Sequence, residues 1–279
     1  MLSYRHGFHA GNFADVLKHS LLCLAIDELK KKDKPFVYID THAGAGVYSL
    51  HAPYAEKTGE YRQGIGRLWT CNDLPASLAP YFEAIRAVNS GNALRRYPGS
   101  PALVRAGLRP QDRMQLSELH GSDFTALQAH FQGDRQVAVA REDGLKQLAK
   151  KLPPIQKRGL IFIDPSYEVK DDYARVVDTI AGAYRRFATG VYCLWYPVIR
   201  RDATERLMSD LAATGIRKQL RIEHCIASDH EEPGMTGSGL LWINPPWTIE
   251  KQAQALLPWL HGKLEQNGGH WSMDWQVPE

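Results

Sequence analysis

The stretch GLIFIDPSYEVK, residues 159–170, decides how the rest of the chain is read. Gly159 to Ile163 is a short, continuous apolar run, the pattern of a strand buried on both faces. It ends at Asp164, and Pro165 cannot continue a central strand because it has no amide hydrogen to donate. An acid at the carboxyl end of a buried strand is where open α/β sheets face their ligands. Asp164-Pro165-Ser166-Tyr167 is therefore either chemical equipment or an ordinary turn. A second stretch, GLLWINPPW at 239–247, ends in a comparable tetrapeptide, Asn244-Pro245-Pro246-Trp247. At most one of the two is a site.

Working outward, apolar runs alternate with helical patterns. PFVYID (35–40), MQLSEL (114–119), VAVARED (137–143), LIFID (160–164) and GVYCLWYPV (190–198) read as strands. SDFTALQAHF, GLKQLAKKL, DYARVVDTIAGAYRRF (172–187) and DATERLMSDLAATG read as the helices that follow them. Strands over 217–227 and 237–244 then come with no helix between, and a helix around 249–264 follows. The expectation is a seven-stranded, mostly parallel sheet with an antiparallel last strand and helices on both faces. Asn12 has the character of an N-cap with Asp15 three residues on. The helix it starts runs to about Leu29 on a Leu17, Leu21, Leu24 stripe, with Lys18 and His19 off the apolar face. Residues 51–96 lack strong strand signals, and Leu78, Phe82, Ile85 and Val88 share a helical face. This region is expected to be a small inserted helical subdomain within one domain spanning 1–279. Ser100 is read as an N-cap, with Pro101 as the first helical residue.

Composition narrows the class. The 279 residues are 44% hydrophobic and 23% charged, ordinary for a globular chain. No run approaches the about 18 apolar residues of a membrane span, and the polar start MLSYRHGFHAGN is not a signal peptide. A cytoplasmic protein is expected. The four cysteines are scattered, without a C-x-x-C pair. His6 and His9 lack acidic or thiol neighbours in sequence, so no metal is expected. A net charge of +3 is mildly basic. Paired basic residues such as Arg95-Arg96 and Lys150-Lys151 permit a phosphate-binding face without demanding one.

The turn after the first strand is Asp40-Thr41-His42-Ala43-Gly44-Ala45-Gly46, whose glycines allow a tight turn and close backbone approach to a ligand. A dinucleotide fingerprint would carry a third glycine where Ser49 stands. Acids recur at the ends of the next strands. Glu118 is suited to ribose hydroxyls, and Asp143, followed by Gly144, to an adenine amine. Acids at three successive strand ends, without a pyrophosphate cradle, suit S-adenosylmethionine better than a nicotinamide dinucleotide.

Strand order favours Asp164 over Asn244, because the strand ending in Asp164 should lie beside the first. Asn-Pro-Pro-Trp is then a rigid strand exit with a packed Trp. An exocyclic adenine amine is a poor nucleophile, since its lone pair is delocalised into the ring. Two acceptors on its N–H groups, the Asp164 carboxylate and the Pro165 carbonyl, would draw it toward tetrahedral geometry. Tyr167 would stack on a base swung out of its helix, and in-line positioning would supply the remaining acceleration. Ser166 departs from the Asp-Pro-Pro-Tyr signature of amino-group methyltransferases. A second proline would stiffen the turn, so its loss forgoes roughly 0.4–1 kcal/mol of preorganisation and no catalytic atom.

Taken together, MLSYRHGFHAGNFADVLKH, DTHAGAG, PGSP, SELH, EDG, DPSYE and GMTGSG…NPPW resemble the bacterial large-subunit (23S) ribosomal RNA adenine-N6 methyltransferase J family over almost the whole chain. The resemblance implies a Rossmann-like class I methyltransferase fold. It implies transfer of a methyl group from S-adenosylmethionine, leaving S-adenosylhomocysteine, to N6 of adenine 2030 (ribosomal RNA numbering). The 23S rRNA would be free or partly assembled, with a monomeric enzyme and no obligate protein partner or membrane. Carried over by motif, His19, His42, Ser100, Glu118, Asp143, Gly144 and Asp164 would contact the cofactor or lie at the reaction centre. Tyr4 would meet the target adenosine, and Lys18 would lie beside Asp164. The alternatives are a DNA adenine-N6 methyltransferase, disfavoured by the lack of a separate target-recognition domain, and an RNA-binding protein inactivated through Ser166. A nicotinamide-dependent dehydrogenase is disfavoured by the missing glycine.

Overall fold

The computed structural model describes residues 5–168, 171–229 and 234–279. Helix α1 (Phe13–Lys30) leads into β1 (Val37–Asp40). A short ribbon, β2 (Val47–Ser49) and β3 (Arg96–Pro98), brackets α2 (Pro53–Thr58), α3 (Ile65–Trp69) and α4 (Ala79–Ala87). Then follow α5 (Ser100–Gly107), β4 (Arg113–Glu118), α6 (Gly121–His130), β5 (Val137–Arg141), α7 (Gly144–Leu148) and β6 (Gly159–Ile163). The chain continues through α8 (Asp172–Arg186), β7 (Val191–Val198), α9 (Arg201–Ala213), β8 (Gln219–Ala227), β9 (Gly237–Ile243), α10 (Ile249–Leu264) and β10 (Gly268–Val277).

Among the described residues eight strands form one sheet, in the order β10-β8-β9-β7-β6-β1-β4-β5. The five strands from β7 to β5 are mutually parallel, and β9 lies antiparallel between β7 and β8. This is the Rossmann-like arrangement of class I methyltransferases. The seven strands expected from sequence are present, and β10 is an eighth, added antiparallel on the edge of β8. One face of the sheet packs against α1 and α10, and the other against α7, α8 and α9.

Helix α1 organises the first layer. Asn12 caps it, accepting a 3.0 Å bond from the Asp15 amide. Lys18 and His19 do not point outward as expected: both are buried, as are Asp15 and Ser20. The leucine stripe marks one wall only, because α4, α5 and α10 pack around the helix as well as the sheet. The Ser100 expectation is also corrected. Gly99 holds the N-cap position, Ser100 is already helical, and its hydroxyl donates to Asp40 at 2.7 Å.

The antiparallel course of β9 settles which end each proline tetrapeptide occupies. Ile243 pairs with Tyr192 at the start of β7. Asn244 therefore leaves from the amino edge of the parallel strands, opposite the edge that carries Asp164. Trp247 is not packed but 94% exposed.

The α2–α4 segment is tied back to the N-terminal turn. Glu60 accepts from Asn12 Nδ2 at 3.0 Å and lies 2.9 Å from His9 Nδ1. The Ile65 amide donates to the Gly11 carbonyl at 2.8 Å. Here the backbones approach so closely that a Cβ on Gly64 would lie 2.2 Å from the Gly11 oxygen. Gly64→Ala is expected to lower the unfolding free energy by about 1–3 kcal/mol. The urea midpoint should fall with an unchanged slope.

Candidate active site

The carboxyl ends of β1, β4, β5 and β6 open into a cavity enclosing about 1040 Å³ of non-protein space, part of it open to solvent. Its walls come from the turn after β1, the ends of β4 and β5, the start of α5, one flank of α1 and the Asp164–Ser166 turn.

Lys18 is the centre of the electrostatics. Its ammonium lies 2.9 Å from Asp15 and 2.7 Å from Asp164, and 5.2 Å from the centroid of the Trp195 ring. Burial alone would push the Lys18 pKa down, but the two carboxylates more than reverse this and hold it above its ordinary value. Asp15 is fully enclosed. Burial would raise its pKa, yet His6 and Lys18 hold it well below the carboxylate range. It also accepts from the Gly11 amide at 2.8 Å and sits 3.0 Å from His6 Nε2. His6 thus lines the cavity with a carboxylate partner behind it, which its sequence neighbours gave no sign of.

The glycine turn is shaped from inside. Gly44 and Gly46 hold left-handed backbones, and a Cβ on Gly44 would meet the Tyr48 hydroxyl at 2.0 Å. The Gly44 amide donates to Glu118 at 2.7 Å, as does the His120 amide. Burial raises the Glu118 pKa against these two bonds. In a dinucleotide site such a glycine amide would face phosphate; here a carboxylate already holds it. Asp143 is the N-cap of α7, accepting from the Lys146 amide, and pairs with Arg175 at 2.9 Å. Gly144 is required by crowding, since its Cβ would lie 2.1 Å from the Thr41 carbonyl oxygen.

The cavity brings together His19, His42, Ser100, Glu118, Asp143, Gly144, Lys18, Asp164 and Pro165 of the expected residues. His19 is buried, with Nδ1 2.8 Å from the Tyr97 hydroxyl, and burial lowers its pKa to about 3, so it is neutral at ordinary pH. His42 is likewise pushed down by burial, with Nδ1 2.8 Å from the Thr41 hydroxyl. Tyr4 lies outside the described residues. Tyr167 is not on the cavity wall as expected. Its backbone is left-handed at φ 54°, its hydroxyl donates to the Trp195 carbonyl at 2.9 Å, and its ring packs 4.6 Å from Tyr173. The turn directs this side chain toward β7 and α8, and leaves Pro165 and Ser166 facing the cavity. Sequence reasoning passed over Arg175, and counted Asp40 only as one of the strand-end acids. Asp40 is fully buried beneath the turn and accepts from Tyr38, Ser100 and the His42 amide.

The arrangement offers acceptors for hydroxyl and amine groups at two strand ends, neutral imidazoles, and a cation-held carboxylate at a third strand end. A family model described as ribosomal RNA large subunit methyltransferase D, RlmJ, matches residues 33–277. Proteins named ribosomal RNA large subunit methyltransferase J are similar along their whole length. The one from Escherichia coli (strain K12) is 55% identical over 280 residues and the one from Haemophilus influenzae 50% over 281, with 100% of each chain covered. The crystal structure of protein LPL1258 from Legionella pneumophila is 38% identical with a TM-score of 0.90, covering 95% of this chain and 98% of that one. The chain belongs to the ribosomal RNA large subunit methyltransferase J family. It is a methyltransferase by membership, and its sheet has the order that the class requires.

Two outcomes test the electrostatics. Lys18→Met strands two carboxylates, one of them fully buried, and is expected to lower stability by about 3–5 kcal/mol. Adding Asp15→Asn should recover part of that loss in urea unfolding. Burial, with Asp164 adding, pushes the Asp40 pKa up to about 6 against its three hydrogen bonds. A raised folded pKa means that the native state holds the proton longer than the unfolded chain. Wild type should therefore lose up to about 3 kcal/mol relative to Asp40→Asn as pH rises from about 4 to about 6. The difference should be flat outside that window.

Proposed function

We propose that this protein methylates N6 of an adenine in 23S rRNA, adenine 2030 by family resemblance, using S-adenosylmethionine. The observation that carries the reading is Asp164, held by Lys18 at 2.7 Å on the wall of the cavity and followed by Pro165. The names of the full-length relatives support the large-subunit RNA substrate.

The donor set fits the cofactor. Glu118 would take its ribose hydroxyls, Asp143 and Gly144 would meet its adenine, and His19, His42 and Ser100 would border its remaining length. When bound, S-adenosylmethionine supplies an electrophilic methyl group on a sulfonium. No metal is proposed.

The chain's own groups then prepare the amine. Lys18 holds the Asp164 carboxylate in place on the cavity wall, so that it accepts one N–H of the adenine amine. The Pro165 carbonyl accepts the other. Both bonds strengthen as the nitrogen becomes tetrahedral and positive, which is stabilisation specific to the transition state. The surplus proton on the methylated nitrogen would pass to Asp164 or through it to water. Tyr4 would meet the adenosine, and Tyr167 would stack on the base once its ring leaves Tyr173 and Trp195. The 51–96 segment, docked on the N-terminal turn, would form an insertion in a single methyltransferase domain that works as a monomer in the cytoplasm.

Methyl transfer from labelled S-adenosylmethionine to a 23S rRNA fragment containing the target hairpin tests this reading. Wild type should place label on adenine N6, and Asp164→Ala should be slower by about 10²–10³ or more. Ser166→Pro should match wild type or exceed it by about two- to fivefold, the preorganisation that the second proline adds. Absence of label with wild type and with Ser166→Pro would overturn the substrate assignment.

A further inference from the structure

The second proline tetrapeptide takes no part in the cavity, yet it is firmly built. Asn244 holds a left-handed backbone at φ 51°. Its side-chain amide donates 2.8 Å bonds to the carbonyls of both Ala188 and Gly190, and its backbone amide donates to the Lys218 carbonyl at 3.1 Å. Pro245 and Pro246 restrict the next two backbone positions. Pro246 is buried and accepts from the Ile249 amide at 2.9 Å. On this fixed support Trp247 stands 94% exposed. An indole is among the largest apolar groups a protein can bury, so a rigid mount that keeps it in water is not explained by packing.

The surroundings are basic. The Thr248 hydroxyl donates to Glu28 at 2.6 Å, and Glu28 pairs with Lys31, which puts Trp247 beside the end of α1. Arg158 holds the following loop onto the same edge by donating to the Lys34 carbonyl at 2.8 Å. Near Arg158 stands Ile155, 97% exposed, the other highly exposed large apolar side chain among the described residues. Of the acids nearby, Asp27 pairs with Lys30, Glu28 with Lys31 and Glu279 with Lys218, while Asp33 stands exposed between Lys32 and Lys34. Among the described residues, Lys32, Lys34, Lys157 and Arg185 at this edge are exposed and have no carboxylate within ion-pair distance. An exposed aromatic among unpaired cations suits single-stranded nucleic acid, whose bases stack while its phosphates meet the cations. Protein interfaces are instead depleted in lysine.

We infer that the amino edge of the sheet is a second RNA-binding surface, on which Trp247 stacks an unpaired nucleotide while Lys32, Lys34 and Lys157 hold phosphates. The inference rests on the ribosomal RNA reading above, and extends it to the opposite edge of the fold. The five residues of β6 separate the two edges by roughly 17 Å of strand before loops are added. The nucleotide on Trp247 is assigned to single strand flanking the target hairpin, because an unpaired base offers the open face that stacking needs.

The experiment compares wild type, Trp247→Ala and Trp247→Phe on two RNAs: the bare target hairpin and the same hairpin extended on both sides by single-stranded flanks. Binding of fluorescently labelled RNA is measured without cofactor, and kcat and KM with it. Trp247→Ala should weaken binding and raise KM about tenfold on the flanked RNA alone. Its kcat, its activity on the bare hairpin and its melting temperature should stay unchanged, and Trp247→Phe should restore most of the binding. Equal binding of the flanked RNA by wild type and Trp247→Ala overturns the inference. If wild type methylates neither RNA, the substrate reading fails, and Trp247-dependent binding still decides this surface. Binding of neither RNA by wild type overturns both.

Discussion

A lysine ammonium buried between two carboxylates is the constraint on which the site depends. Lys18 is 2% exposed and Asp15 is 1% exposed. A charge taken so far out of water is tolerable only when its partners are held in place. Holding them ties together parts of the chain that are distant in sequence. Asp15 fixes the start of α1 and the turn before it through the Gly11 amide and His6. Asp164, 146 residues beyond Lys18, fixes the turn after β6. The cation that bridges both thus sets the distance between α1 and the parallel sheet at the mouth of the cavity. A carboxylate oriented this way presents its lone pairs to an incoming amine without having to reorganise.

Strand ends supply the other half of the architecture. Parallel strands with β1 at the centre bring the ends of β1, β4, β5 and β6 to one edge, so residues 118, 143 and 164 meet around one cavity, with Asp40 buried beneath its floor. Neighbouring backbones are close enough there that Gly144 admits no side chain. Glu118 spends two bonds on the backbone amides of Gly44 and His120. The glycine turn is thereby shaped by a carboxylate, which occupies the Gly44 amide that would face a pyrophosphate in a dinucleotide site.

Much of this was legible in the residues, and the parts that were not have physical causes. Short apolar runs bounded by glycine, proline or acid are unambiguous when a strand is buried on both faces, which is why β1, β6 and β7 stood out. Strand β10 has one covered edge and a half-exposed surface. Its His270, Ser272 and Asp274 alternate with Trp271, Met273 and Trp275, a period of two that the opening glycines disguise. The burial of Lys18 and His19 left no local trace. Periodicity reports which face of a helix meets the core, but α1 is enclosed on several sides, and the partners of Lys18 and His19 come from Asp164 and Tyr97. Tyr167 was placed on the base by motif chemistry alone. The left-handed backbone that sends its ring to Tyr173 is a property of the turn, and no residue type announces it.

The two proline tetrapeptides show how little a motif means apart from strand direction. Each follows a fully buried strand and contains a left-handed residue, Tyr167 in one and Asn244 in the other. Strand β6 runs parallel to β1 and delivers its acid to the cavity. Strand β9 runs antiparallel to β7 and delivers its asparagine to the far edge, where the amide is consumed by two backbone carbonyls. An asparagine with both amide hydrogens committed to Ala188 and Gly190 is fixed as a structural brace. Asp164 instead meets a cation on one side and the cavity on the other, which leaves an acceptor for chemistry. The literal match to the amino-methyltransferase signature is nearer at residues 244–247, and the competent geometry is at residues 164–167. Topology outweighs spelling because the lone pairs must point at the substrate, and a strand's direction decides which edge of the sheet they reach.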